Sequence, residues 1–343
     1  MSVITTAALA LAFVAGKSGG HILPCLTTAE KMHHKNPQVE LYLFTTGTPL
    51  ENKIINKHPH VQQVVPATLS DAPGYKIWLW PRFCWQMLCY FKNSYAYLKQ
   101  HTPEKVISYG GLNSIPVCLA AKWLHIPFEL HELNVEPGKA ITFLSYFTDT
   151  IHICFQATKK YFPKKKCILE PYPIRFTQNV ERTNELYAKY NLVPTKKTIL
   201  ILGGSQGSQW LNETACKALC SMPDAHTIQI IHQTGNQDSQ TFTPAYQAAD
   251  IHGITFSFTH NLEVFYALAD CVICRSGAGT LFECMHFKKP CITIPLEVAG
   301  NNHQVANAYA IQEMYPHACK VIEQKDFSVK ILQDACHRYC YTP

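Results

Sequence analysis

Short apolar runs recur along the chain, each followed by a polar turn and then by a stretch whose apolar positions have helical spacing. That alternation predicts parallel sheets flanked by helices, an α/β architecture. In the first half, Ala8–Val14, Glu40–Thr45, Lys105–Ser108, Phe128–His131 and Ile151–Phe155 read as strands. In the second half, Thr198–Leu202, Thr227–Ile231, Ile254–Ser257, Cys271–Cys274 and Cys291–Ile294 do the same. Runs with almost no charge, such as Thr198–Leu202, have the character of strands covered on both faces.

The halves echo each other. Each opens with an apolar strand running into a glycine-rich turn, Gly16-Lys17-Ser18-Gly19-Gly20-His21 in one and Gly203-Gly204-Ser205-Gln206-Gly207-Ser208 in the other, and a helical segment follows both. Between them Pro171 and Pro173 mark a stiff linker. The pattern predicts two Rossmann-like domains facing a cleft, with ligands at the carboxyl ends of both sheets. The expected boundaries are 1–172 and 173–325, with 326–343 as a segment that packs back on the first domain.

Composition narrows the class. A chain of 343 residues with 47% hydrophobic and 16% charged residues is globular, with cores large enough for two domains. A net charge of +6 suits anionic small molecules or an anionic lipid surface and is too dispersed to imply nucleic acid. The densest basic run, Lys159 to Lys166, reads either as a solvated loop or as a membrane-facing patch. The 15 cysteines are scattered and several lie inside apolar runs, where a free thiol is a small buried hydrophobe, so a reducing compartment is expected. Cys271 and Cys274 have redox-motif spacing, but residues three apart on a strand point to opposite faces. Ala7–Val14 lacks a basic flank and leads directly into a glycine turn, so it reads as a first strand and not a signal peptide. No apolar run reaches the roughly 18 residues needed to cross a bilayer.

The stretch Cys274–Ala308 carries the clearest chemistry. A strand breaks at Ser276-Gly277-Ala278-Gly279-Thr280 and resumes as a helix bearing Glu283; a second strand then leads to the polar turn Gly300–Gln304. Backbone N–H groups at a helix start bind anions. A carboxylate one turn further accepts from sugar hydroxyls. Together they describe a sugar-nucleotide pocket. Neither glycine turn keeps the G-x-G-x-x-G spacing of a dinucleotide fingerprint, so no nicotinamide cofactor is expected. No D-x-D or H-E-x-x-H occurs, and no metal or other cofactor is expected; helix N-termini and Arg175 would stabilise a departing diphosphate. His21 closes the first turn, either as a structural group or as a base for an attacking hydroxyl. The segment Tyr75–Leu98 interleaves aromatics with Lys76, Arg82 and Lys92 and reads either as a membrane-interface element or as a core helix.

These motifs, in this order, resemble the MurG family of peptidoglycan transferases. The resemblance runs through Gly16–His21, Tyr109-Gly110-Gly111 with Ser114 and Pro116, and His131-Glu132-Leu133-Asn134 with Pro137-Gly138. It continues through Pro173-Ile174-Arg175, Gly203–Gly207, His232-Gln233-Thr234-Gly235, Arg275–Ala278 with Thr280 and Glu283, and His303-Gln304 with Asn307-Ala308. It implies a metal-independent, inverting GT-B type glycosyltransferase, peripheral on the cytoplasmic side of the inner membrane. The implied reaction moves N-acetylglucosamine from UDP-GlcNAc to the 4-hydroxyl of lipid I, giving lipid II. Implied partners are UDP-GlcNAc, lipid I, the membrane surface and other cell-wall synthesis proteins, with no nucleic acid.

By the same resemblance, His21 and Asn134 are the catalytic pair. Lys17, Ser18, Gly19, His21, Gly110 and Gly111 face the acceptor. Ser18, Gly19, Gly20, Asn134, Arg175, Ser205, Gln206, Ser276, Gly277, Ala278, Thr280, Glu283, His303 and Gln304 face the donor. Glu283 would take the ribose, Ser205 and Arg175 the diphosphate, and Gln304 with His303 the GlcNAc hydroxyls. Lys17, Ser18, Leu112 and Leu133 stand where the family usually has Gly, Thr, Tyr and Gln. Ser18 keeps the hydroxyl, while Lys17, Leu112 and Leu133 leave open another lipid-linked acceptor or a weakened UDP-GlcNAc-binding protein; a UDP-GlcNAc epimerase on the same fold is a further rival.

Overall fold

The computed structural model describes residues 9–67, 69–176, 180–204, 207–259, 261–297 and 302–341. It divides into two compact units, one ending at Arg175 and the other beginning at Phe176. In the first, β1 (Ala10–Val14), β2 (Glu40–Thr45), β3 (Gln63–Pro66), β4 (Lys105–Ser108), β5 (Phe128–Glu132), β6 (Thr150–Ile153) and β7 (Lys166–Leu169) form one parallel sheet. Its order is β3-β2-β1-β4-β5-β6-β7. Every residue of β1 is buried, as a central parallel strand requires. Ala10, Ala12 and Val14 share one core with Val117, Cys118 and Ala121 of the helix Ser114–Trp123.

In the second unit, β8 (Lys197–Leu202), β9 (Ile228–Gln233), β10 (His252–Phe256), β11 (Cys271–Cys274), β12 (Cys291–Thr293) and β13 (Cys319–Val321) form a parallel sheet of order β10-β9-β8-β11-β12-β13. Ile199 and Ile201 of β8 pack with Leu211, Ala215 and Leu219 of the helix Gln209–Cys220. Cys271 joins that core; Cys274, three residues on, does not, as opposite strand faces demand. All fifteen cysteines are free thiols.

The structure differs from expectation in two places. β3, β7 and β13 have no counterpart among the predicted strands. Each is an edge strand of three or four residues, and β3 and β7 are largely open to solvent, so none shows an apolar run. β3 ends in Pro66, which an edge tolerates because no neighbour needs its missing donor. In the C-terminal segment, expected to pack back on the first domain, the helix Val329–Tyr341 contributes to the second unit's core. Leu332, Cys336 and Cys340 lie on one stripe of the helix Val329–Tyr341 and are buried with Ile199 and Ile273. Burial of the Leu332 side chain alone stabilises by about 1.5–3 kcal/mol.

Candidate active site

Each sheet has one point where neighbouring strands lead their connections to opposite sides, between β1 and β4 in the first unit and between β8 and β11 in the second. Such switch points open a crevice at the carboxyl ends of the strands. The register is the same in both: four residues of β4 pair with β1, ending Val14 to Ser108, and four of β11 pair with β8, ending Leu202 to Cys274. The turns beginning at Gly16, Tyr109, Gly203 and Ser276 follow these four strands.

In the first unit the loops after β1 and β4 interlock. Gly111 has φ +92°, and a side chain there would lie 2.4 Å from the Gly16 Cα, so only glycine fits. Asn113 ties the two loops, its Nδ2 donating to the Ala15 carbonyl at 2.9 Å. The helix Gly19–Lys35 starts at Ser18, whose hydroxyl does not cap it; instead Ser18 Oγ lies 3.0 Å from His21 Nδ1. That contact fixes the imidazole ring, and a Cβ on Gly16 would reach within 3.1 Å of the same nitrogen. The backbone N–H groups of the first turn are left without a side-chain cap, as an anion site needs. Lys17, Ser18 and Gly20 are exposed, and Lys17 pairs with exposed Asp71.

The turn after β5 is built around buried Glu132. Its Oε1 accepts from the Asn134 N–H at 2.9 Å and Nδ2 at 3.2 Å, and its Oε2 accepts from the Gly138 N–H at 2.8 Å. Thr158 Oγ1 donates to the Asn134 carbonyl at 2.9 Å. Asn134 is thereby held in one orientation. Tyr109, beside Gly110 (φ +80°), stacks on His131 and hydrogen-bonds Thr28 at 2.6 Å, so aromatic packing stiffens the floor of this half.

The second unit is more tightly framed. Arg275, at the end of β11, is buried; it donates to Ser208 Oγ through Nε at 3.1 Å and Nη2 at 2.8 Å, and through Nη1 to the Ile294 carbonyl at 3.0 Å. Burial lowers its pKa to about 10, which leaves it charged at neutral pH. The guanidinium thus binds the β8 loop to the end of β12 in a planar fork that lysine cannot copy. Gly207 (φ +79°) has Thr234 O 2.4 Å from where a Cβ would sit, so the β8 loop lies directly against the loop after β9. Behind it His232 is fully buried between Asn212 (3.2 Å) and Tyr246 (3.1 Å), and burial pushes its pKa down to about 3.

The helix Ala278–His286 begins at Gly277, which has no side chain to cap it, so its first N–H groups are without a side-chain cap, as an anion site requires. Ala278 is buried and Thr280 half-buried in that first turn. Glu283 is buried one turn on, and Tyr266 OH donates to its Oε2 at 3.0 Å, which orients the carboxylate. Gln304 Oε1 accepts from the N–H groups of Ser276 (3.3 Å) and Leu296 (2.9 Å), joining the turns after β11 and β12. His303, at the start of the helix His303–Met314, buries an Nδ1 that has no hydrogen-bond partner among the described residues.

Within the first unit, then, Ser18, Gly19, Gly20, His21, Gly110 and Gly111 come together at one switch point. Gly277, Ala278, Thr280, Glu283, His303 and Gln304 belong to the strand-end loops and helix starts of the second. Ser276, in the turn before the helix Ala278–His286, is fully buried, its hydroxyl 2.7 Å from Thr293 Oγ1 and its carbonyl accepting from Asn307 Nδ2 at 3.3 Å. Arg175 is the half-buried last residue of the first unit, and Ser205 and Gln206 lie outside the described residues. The framework residues Glu132, Asn113, Arg275 and Tyr266 were not among the predicted site residues. A charge ending an apolar strand, as Arg275 does, was the signal available for one of them.

Known proteins carry the same arrangement. Residues 11–153 match the N-terminal domain of glycosyltransferase family 28, and residues 198–339 its C-terminal domain. The chain is 31% identical over 320 residues to the UDP-N-acetylglucosamine–N-acetylmuramyl-(pentapeptide) pyrophosphoryl-undecaprenol N-acetylglucosamine transferase of Sulfurihydrogenibium sp., spanning 93% of this chain and 86% of that protein. The protein of that name from Myxococcus xanthus is 29% identical over 300 residues, spanning 86% of this chain and 76% of its own. Among solved structures, MurG of Acinetobacter baumannii shares the fold with a TM-score of 0.72 at 24% identity, covering 95% of this chain and 89% of that one. The UDP-GlcNAc 2-epimerase of Methanocaldococcus jannaschii does so with 0.62 at 13% identity, covering 97% and 93%. With the switch-point loops in both sheets and relatives of this identity across nearly its whole length, the chain belongs to the MurG family of N-acetylglucosaminyltransferases within glycosyltransferase family 28.

Proposed function

We propose that this chain transfers N-acetylglucosamine from UDP-GlcNAc to the 4-hydroxyl of undecaprenyl-diphospho-N-acetylmuramoyl-pentapeptide, producing lipid II and UDP with inversion at the anomeric carbon. The observation that carries the reading is the pair of switch-point sites, each with an uncapped helix start, on a chain whose relatives bear that activity in their names. The acceptor oxygen attacks the anomeric carbon as the bond to the UDP oxygen breaks; the hydroxyl proton passes to His21, and UDP leaves with the bonding pair. Ser18 holds the imidazole ready for that proton. Glu283, oriented by Tyr266, takes the ribose hydroxyls, while the N–H groups at Gly277, Ala278 and Thr280, with Arg175, Ser205 and Gln206, meet the diphosphate. Gln304 and His303 read the sugar.

A membrane-surface role for the first unit rests on exposed aromatics. The helix Trp80–His101 buries only Phe83, Tyr90, Ser94 and Leu98, while Trp78, Trp85 and Leu88 are exposed beside Lys76 and Arg82. Trp123, Tyr146 and Phe143 are also exposed, on elements joined by a Lys122 Nζ hydrogen bond to the Phe147 carbonyl at 3.3 Å. Rings with basic neighbours sit at headgroup depth. Among the described residues, no helix is long and apolar enough to cross a membrane. The test is incorporation of labelled GlcNAc into purified lipid I: product is expected only when lipid I is present. Conversion of UDP-GlcNAc in acceptor-free buffer would mean epimerisation, and donor binding without product would mean a binding protein.

A further inference from the structure

Away from both switch points, the first unit gathers histidines that are far apart in sequence. Glu30 and His34 lie one turn apart at the end of the helix Gly19–Lys35, and His58 and His60 lie in the turn after the helix Pro49–Ile55. Glu30 Oε1 is 3.9 Å from His34 Nε2, and its Oε2 is 3.6 Å from His58 Nδ1. Ligand atoms of Glu30, His34 and His60 all lie within 4.8 Å of one another. His33 stacks on His60 at 4.4 Å and holds that ring in place.

These separations are too long for hydrogen bonds, which span about 2.7–3.2 Å. They suit atoms that share an ion: bonds of about 2.0–2.2 Å in a tetrahedron set ligand atoms about 3.4 Å apart. A second observation points the same way. His58 Nδ1 is buried, faces the carboxylate, and has no hydrogen-bond partner among the described residues. The last turn of a helix, with its exposed carbonyls, also attracts a cation.

We propose that Glu30, His34, His58 and His60 form a site for one divalent transition-metal ion of the zinc class, clipping the end of the first helix to the turn before β3. Three imidazoles and one carboxylate suit that class and not Mg²⁺ or Ca²⁺, which take oxygen. The other histidine cluster, Glu129, His131 and His152, is a weaker candidate because two of its three groups have close partners, Lys105 Nζ 2.8 Å from Glu129 and Glu170 2.7 Å from His152 Nδ1, although His131 Nε2 has none among the described residues. It serves as the control.

The experiment titrates Co²⁺ into the chelator-stripped full chain. One ion per chain is expected, with the visible bands of four-coordinate Co²⁺, no near-ultraviolet thiolate band, and displacement by Zn²⁺. The double variant His34→Ala/His60→Ala should weaken binding by at least about 100-fold. Glu30→Gln, which keeps the side-chain volume, should show a loss of the same kind, and His152→Ala should leave binding unchanged. Unaltered circular dichroism confirms that the variants are folded. The proposal is overturned by absent binding, by a thiolate band, by equal affinity in His34→Ala/His60→Ala, or by loss only in His152→Ala.

Discussion

The two switch points are built on the same plan and finished differently. In the second unit Arg275 and Gln304 are anchored by hydrogen bonds and Ser276 is fully buried, so these side chains are held in place without a nucleotide. In the first unit Lys17, Ser18 and Gly20 are exposed, and only the floor beneath them, Asn113, Tyr109 and Glu132, is locked. A small, invariant donor rewards a pre-formed pocket, because little ordering is left to oppose binding. A bulky lipid-linked acceptor needs an open approach. Under the proposed reaction, this contrast corresponds to donor affinity in the second unit and chemistry in the first.

Variants can break that division. The largest effect is expected from His21→Ala, which should lower kcat by about 100- to 10,000-fold and leave the donor KM nearly unchanged. A raised donor KM with kcat intact would move His21 to the donor side. Next, Glu283→Ala should raise the donor KM by about 10- to 100-fold, the effect of losing a buried, charged acceptor worth about 1.5–3 kcal/mol. Unchanged donor affinity would remove the ribose from its role.

The frame of the second unit should respond to acid. His232 has a folded pKa of about 3 against an unfolded value near 6.5, so the unfolded chain takes up a proton that the folded chain refuses. Its stabilising contribution is therefore complete above that unfolded value and declines as the pH falls towards 3, by at most about 1.4 kcal/mol per pH unit. Denaturant midpoints measured across this window should fall less steeply in His232→Gln; identical slopes would show that His232 does not carry the effect. The smallest change is expected from Ser18→Ala, a few-fold loss in kcat, about 0.5–1.5 kcal/mol, from a freer His21 ring. A loss as large as that of His21→Ala would make Ser18 a reacting group.

Much of this was legible before any coordinates. β2, β4 and β11 coincide residue for residue with the predicted runs, since buried apolar segments flanked by turn residues leave little freedom. The glycine turns were equally visible, because Gly111 and Gly207 occupy positions where any Cβ would collide with backbone. What sequence hid depends on tertiary neighbours. Edge strands such as β7 carry no apolar run, being half solvated. The hydrogen bonds of Ser276 to Thr293 and Asn307 join residues 17 and 31 positions apart, which no local pattern announces. Glu30, His34 and His60, with His58 beside Glu30, match no spacing motif, because two separate elements bring them together and only the fold shows it.

The most direct test of the account is the fate of labelled UDP-GlcNAc with purified lipid I, comparing the wild-type chain with His21→Ala and Glu283→Ala. The account predicts label in lipid II, a collapse of turnover at saturating donor for His21→Ala, and recovery of turnover by Glu283→Ala as donor concentration is raised. Label that leaves UDP-GlcNAc without lipid I, or the two variants failing in the same kinetic term, would contradict it.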